Sequence, residues 1–240
     1  MKSKGAIAIL GGMGPQASAK LVEVVIEMAS RDFGVKDAKD FPEIILVSAP
    51  VPEFFSSKKN VKKALTILKA KIKFLNQTDI VITAVACNTA HLFLKDLQEI
   101  SEAPFVSIIE AVTNQVITSR VRKVGLMASP STIRSGLFRD SFRMTDVNVI
   151  TPKKEQVEIL GTIIESVIAG EDKDGLSKKL EIIALDLKKR GAQAIILGCT
   201  ELPLAFPKSF PIPVFDSIQI LSRALLIRAF NSDKKGITIN

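Results

Sequence analysis

Short, wholly apolar runs alternate along this chain with longer amphipathic segments, and that alternation restricts the fold more than any other feature. The runs fall at 6–10, 44–47, 80–84, 105–106, 124–128, 147–150, 194–197 and 214–215. Between them, apolar residues recur at helical spacing over 16–31, 61–76, 89–102, 111–120, 133–143, 155–169, 176–190 and 217–231. A strand that is apolar on both sides is buried on both sides, so helices must cover both faces of its sheet. The pattern predicts an α/β protein built on parallel sheets flanked by helices.

The pattern is also doubled. The run at 6–10 leads into Gly11-Gly12-Met13-Gly14, and the run at 124–128 leads into Ser129-Pro130-Ser131-Thr132. Likewise 80–84 leads to Cys87-Asn88-Thr89, and 194–197 leads to Cys199-Thr200-Glu201. The near-equal offsets predict two pseudo-symmetric domains, 1–108 and 109–215, each with one cysteine after an inner strand. The last helix, 216–240, is expected to pack back on the first domain.

Composition narrows the class further. The chain has 240 residues, 47% hydrophobic and 24% charged. That is ordinary globular material, long enough to bury a core without disulfides or metal. No apolar run reaches the ~18 residues of a membrane span. The net charge is +8, but the lysines are scattered among apolar residues at helical spacing. They read as solvated helix faces, and no nucleic-acid or membrane partner is expected. The start of the chain mimics a secretory signal, with Lys2 and Lys4, an apolar stretch at 5–13 and Ala17-Ser18-Ala19. Gly11, Gly12 and Gly14 make it read better as a buried strand entering a tight turn. With two cysteines in all and no disulfide framework, the expected compartment is the cytoplasm.

The two cysteines are the sharpest chemical feature. Each follows an apolar strand and precedes polar residues that start a helix. Ligands of open α/β sheets bind beyond the carboxyl ends of strands. A thiol at a helix start sits in a positive partial field that favours thiolate. One such cysteine is more simply a small buried residue; two in matching contexts point to chemistry. Inverting a carbon centre needs a base on one face and an acid on the other, and two thiols supply both without an organic cofactor. A disulfide is the rival reading, and it requires the two Cβ atoms to come within ~4 Å.

Three motifs, 9–15 (Ile-Leu-Gly-Gly-Met-Gly-Pro), 86–91 (Ala-Cys-Asn-Thr-Ala-His) and 198–202 (Gly-Cys-Thr-Glu-Leu), resemble the aspartate/glutamate racemase family, nearest its aspartate racemase branch. The resemblance runs from the first strand to the last helix. It implies a homodimer of two-domain chains and an active site in the cleft between the domains. It further implies amino-acid racemisation with no cofactor; no metal is expected either, because two cysteines and one histidine far apart make no zinc motif. The family's acid/base thiols fall on Cys87 and Cys199, and its substrate-gripping residues on Met13, Asn88, Thr89, Thr132 and Thr200. Two cations thought to hold an acidic side chain are replaced, by Phe54 and by Ile168. The expected side-chain pocket is therefore more apolar than in aspartate racemases, unless Lys58 or Lys59 restores the charge.

Other readings stay in view. Gly12-x-Gly14-x-x-Ala17 fits a dinucleotide fingerprint, but the second strand ends in Ser48-Ala49-Pro50 rather than in an acidic residue. The glycines are read instead as allowing close approach of a small substrate. His91, four residues after Cys87, could form a nucleophilic Cys–His pair; a helix residue with a satisfied hydrogen bond is preferred. Glu201 could tune Cys199 or cap a helix, and capping is preferred. A hydantoin racemase, a one-thiol decarboxylase and a binding protein without catalysis are the alternative functions.

Overall fold

The structure is a computed structural model that describes residues 5–52 and 58–230. By internal contacts the chain divides into two units, one of residues 1–108 with 221–240 and one of 109–220.

In the first unit, β1 (Ala6–Gly11) is followed by α1 (Pro15–Phe33), β2 (Ile44–Ser48), α2 (Lys58–Leu75), β3 (Ile80–Val85), α3 (Leu94–Gln98) and β4 (Phe105–Val106). All pairings are parallel, in the order β2-β1-β3-β4. Every residue of β1 is buried, as a strand covered by helices on both faces must be. Helix α1 starts with Pro15, whose fixed φ suits a first turn, and buries Ala17, Leu21, Val24, Val25, Met28 and Ala29. Helix α2 buries Ala64, Leu68, Ile72 and Leu75 at helical spacing and turns Lys62, Lys63 and Lys73 to solvent.

The second unit follows α4 (Ile108–Thr118) with β5 (Lys123–Met127), α5 (Pro130–Ser135), α6 (Leu137–Ser141), β6 (Asn148–Ile150), α7 (Lys154–Ala169), α8 (Lys173–Lys189), β7 (Ala194–Leu197) and β8 (Val214–Asp216). Its parallel order is β6-β5-β7-β8. Counted from its own first strand, that is the order of the first sheet. The stripes Leu160, Ile163, Ile164, Val167 of α7 and Leu176, Leu180, Ile183, Leu187 of α8 pack into one core with Met127, Ile195 and Leu197. The last helix, α9 (Ser217–Phe230), returns to the first unit from Leu221 onward. There Phe230 meets Phe33, ring centroids 5.5 Å apart, and Arg223 pairs with Asp32 at 3.0 Å.

The expected α/β architecture of two parallel sheets flanked by helices is present, with each expected strand found within a residue or so of its apolar run. Two helices differ. The segment expected to be helical over 133–143 is broken at Gly136, whose φ of 75° ends α5 in a conformation that disfavours other residues. The segment expected to be helical over 89–102 opens as a 3₁₀ helix, Thr89–Phe93, before α3. His91 causes that change, as shown below. Among the described residues no helix is long and apolar enough to cross a membrane.

Candidate active site

In each sheet the strand order reverses beside the first strand: one neighbour continues in one direction, the next in the other. A crevice opens at such a switch point, at the carboxyl ends of the strands. In the first unit these are the ends of β1 and β3, in the second the ends of β5 and β7. Both cysteines lie there, Cys87 after β3 and Cys199 after β7. The backbone fixes both in the same way. The Ala86 N–H donates to the Leu10 carbonyl at 2.9 Å, and the Gly198 N–H donates to the Met127 carbonyl at 2.7 Å. Each thiol loop is thereby tied to the neighbouring first strand just where its ladder ends. Both cysteines are buried and neither is in a disulfide.

The glycine turn after β1 is built from inside. Ser18, fully buried, accepts from the Gly12 N–H at 3.0 Å and donates to the Gly14 carbonyl at 2.8 Å. Gly12 has φ of 90°, and a Cβ on it would stand 2.4 Å from the Ala49 backbone. A side chain is excluded at both glycines by the protein itself: the close neighbour of Gly12 is the backbone of Ala49, and that of Gly11 is the Ser18 side chain. Sequence reasoning passed over Ser18; a small polar residue one turn into a helix behind a glycine turn was the available signal. Met13, partly buried, packs against the core cluster that contains Cys87.

Asn88 and Thr89 are buried beside Cys87. His91 is buried and neutral. Its Nδ1 lies 2.9 Å from the Cys87 carbonyl and its Nε2 accepts from the Ile108 N–H at 3.0 Å. An N–H can be accepted only by the unprotonated nitrogen, so the proton is assigned to Nδ1, which donates to Cys87. Burial lowers the imidazole pKa from 6.5 to about 4. With both nitrogens committed, the ring cannot act as a general base. It also takes the Cys87 carbonyl that an α-helix would pair with the residue-91 N–H. That N–H turns to the Asn88 carbonyl at 3.1 Å, which is the 3₁₀ pattern.

In the second unit Ser129 caps α5, accepting from the Thr132 N–H at 3.1 Å and donating to the Thr132 hydroxyl at 3.0 Å. Thr132 and Thr200 are buried. Glu201 does not cap the short 3₁₀ helix Leu202–Leu204 that follows it. Its carboxyl turns back instead: the Cys199 thiol donates to Oε2 at 3.0 Å and the Thr200 hydroxyl donates to the same oxygen at 3.1 Å. Burial pushes the Glu201 carboxyl above the usual range, against the pull of those hydrogen bonds. Ile168 lies near the end of α7 and is 39% exposed. Phe54 lies outside the described residues. Lys58 opens α2, and Lys59 beside it is exposed. Among the described residues no three His, Cys, Asp or Glu side chains converge as metal ligands would.

Each of the two parallel α/β units thus presents a buried cysteine at the switch point of its sheet. Residues 10–225 match the model of the Asp/Glu/Hydantoin racemase family. The chain belongs to that family, and with it to the isomerases. It is 24% identical over 223 residues to the broad specificity amino-acid racemase RacX of Bacillus subtilis, covering 91% of this chain and 95% of that one. Among solved structures it is similar to the Picrophilus torridus aspartate racemase, at 27% identity and a TM-score of 0.81, over 94% of this chain and 95% of that one. It is also similar to an aspartate racemase homologue from Pyrococcus horikoshii, at 29% identity and a TM-score of 0.79, over 95% and 100%.

Proposed function

We propose that the protein is a cofactor-independent amino-acid racemase in which Cys87 and Cys199 exchange the α-proton from opposite faces of the substrate. The observation that carries this reading is the equivalence of the two thiols, each at the switch point of a like-ordered parallel sheet and tied to the first strand by the same backbone bond. One sulfur, as thiolate, takes the α-proton; the C–H electron pair passes toward the carboxylate, and the other thiol returns a proton to the opposite face. The α-carboxylate, where charge develops, is held at Asn88, Thr89, Thr132 and Thr200: by the hydroxyls of Thr89 and Thr132, the Asn88 side chain and the Thr200 backbone N–H, the Thr200 hydroxyl being engaged by Glu201. Met13 contributes an apolar wall. Each step needs free thiols, which suits a reducing cytoplasm, and the working form is read as a homodimer, to be checked by sedimentation.

The side chain bound is read as neutral or apolar, or as one of a broad range. Phe54 and Ile168 stand where the aspartate branch carries cations, and a buried carboxylate without a partner costs several kcal/mol. The broad specificity in the name of the Bacillus relative is consistent with this. The direct test is incubation with a panel of L-amino acids in D2O, with α-deuteration measured for each. Incorporation into at least one neutral amino acid is expected; none into any member would refute the racemase reading. Phe54→Arg should shift the kcat/KM ratio toward aspartate by at most one charge-assisted hydrogen bond, ~1.5–3 kcal/mol. A parent enzyme strongly preferring aspartate would refute the apolar pocket and point to Lys58 or Lys59.

A further inference from the structure

Glu201 is the buried acid that the proposed mechanism leaves unused. It is 3% exposed, and the capping role its position offers is not taken. Its Oε2 is shared between the Cys199 sulfur at 3.0 Å and the Thr200 hydroxyl at 3.1 Å. Its Oε1 is buried with no hydrogen-bond partner among the described residues. Cys199 itself packs in the core cluster that holds Leu197, Leu202 and Ala205. Within the second unit, among the described residues, the groups acting on this carboxyl are the Cys199 thiol, the Thr200 hydroxyl and its own backbone N–H, none of them a cation.

An ionised carboxylate in that setting would bury one charged oxygen with nothing to satisfy it. A carboxylic acid protonated on Oε2 would leave only a neutral carbonyl oxygen unpaired. Its O–H would point at the sulfur, and the Thr200 hydroxyl would still find a lone pair on the same oxygen. The geometry therefore fits a thiolate facing a carboxylic acid as well as a thiol facing a carboxylate, and the orphaned Oε1 favours the former. The burial that pushes this carboxyl up acts in the same direction.

We propose that Glu201 is a positioning residue that stores the proton of Cys199, holding the sulfur as a thiolate at neutral pH. The S–H bond breaks and an O–H bond forms on Oε2; the electron pair stays on sulfur, and the pair carries one negative charge before and after. The thiolate is then free to take an α-proton while Glu201 stays neutral beside it. This inference rests on reading Cys199 as an acid/base group.

The test follows alkylation of each cysteine by iodoacetamide against pH, from about 6 to 8, with the two peptides separated by mass spectrometry. An isolated thiol gains reactivity about tenfold per pH unit below its pKa. Cys199 in the parent protein should show a much shallower rise, because the proton moves to Glu201 rather than to solvent. In Glu201→Gln the steep rise should return, and alkylation near pH 6.5 should fall about tenfold or more. A Cys199 rate in Glu201→Gln equal to or above the parent's near neutrality would overturn the proposal, because Glu201 would then be ionised and opposing the thiolate. If the variant does not fold, the parent profile alone decides: a full tenfold rise per unit at Cys199 overturns it. These rates need no turnover. A shallow profile with no deuteration of any amino acid would refute the racemase reading and leave the proton store standing.

Discussion

The loops after β3 and after β7 hold equivalent cysteines by the same backbone bond, yet each is finished by a different buried polar side chain. After β3, His91 ties the Cys87 carbonyl to the Ile108 N–H and so fixes backbone. After β7, Glu201 reaches the Cys199 sulfur itself. The residue before the cysteine also differs. Ala86 is tolerated in the first loop, whereas a Cβ on Gly198 would come within 2.8 Å of both Leu126 and Phe138. The duplicated scaffold fixes where a thiol sits; the residue four or two positions later decides whether the protein controls its frame or its proton.

The largest expected effect tests whether the two thiols are equivalent in use. Cys87→Ala and Cys199→Ala should each lower racemisation by roughly 10²–10⁴-fold, the span of a lost acid or base. Parental turnover in either variant would end the two-base reading. Cys→Ser at one position, assayed by deuterium wash-in from each enantiomer, should leave exchange at the other face.

The next effect tests the frame. His91→Ala strands a buried carbonyl and a buried N–H, at about 2–5 kcal/mol together, read as a drop in the urea midpoint at pH 7. The acid side sharpens it. The unfolded imidazole binds its proton near 6.5 and the folded one only near 4. Between those values the unfolded chain holds more protons, so stability is full above about pH 6.5 and is lost as pH falls through 4, by about 3 kcal/mol. His91→Ala should lack that loss. A parent protein equally stable at pH 7 and pH 4.5 would contradict a buried neutral histidine.

The smallest effect tests the residue ahead of each thiol. Gly198→Ala should cost about 1–3 kcal/mol by overpacking, and Ala86→Gly about 1 kcal/mol through lost burial and added chain freedom. Thermal denaturation of the two variants compares them directly. A stabilised Gly198→Ala would mean that Leu126 and Phe138 give way.

The strands were legible because burial on both faces removes polar residues, so 6–10 or 194–197 could be little else. The thiol positions were legible for the same reason, each following such a run. Helix interiors were less so. Nothing local in 89–102 reveals a 3₁₀ opening, because it goes with a His91 ring that takes the Cys87 carbonyl while its other nitrogen is held by an N–H seventeen residues away. The break at Gly136 left a weak trace, one glycine in a helical pattern. Glu201 was misread because a carboxylate ahead of a helix usually caps it, and only the fold shows that the sulfur is nearer. The Ser18 clamp escaped because it joins residues through a turn whose shape comes from the glycines, not from periodicity.

The return of α9 has a consequence for how the molecule is made. The second unit is one unbroken stretch, 109–220, whereas the first needs residues from 221 onward to be whole. A ribosome delivers the chain from its N-terminus, and domains generally close as units when their residues are available. The part translated first is therefore the part finished last. Phe33 and Asp32 wait on the nascent first unit for Phe230 and Arg223, which emerge only after the entire second unit has been synthesised.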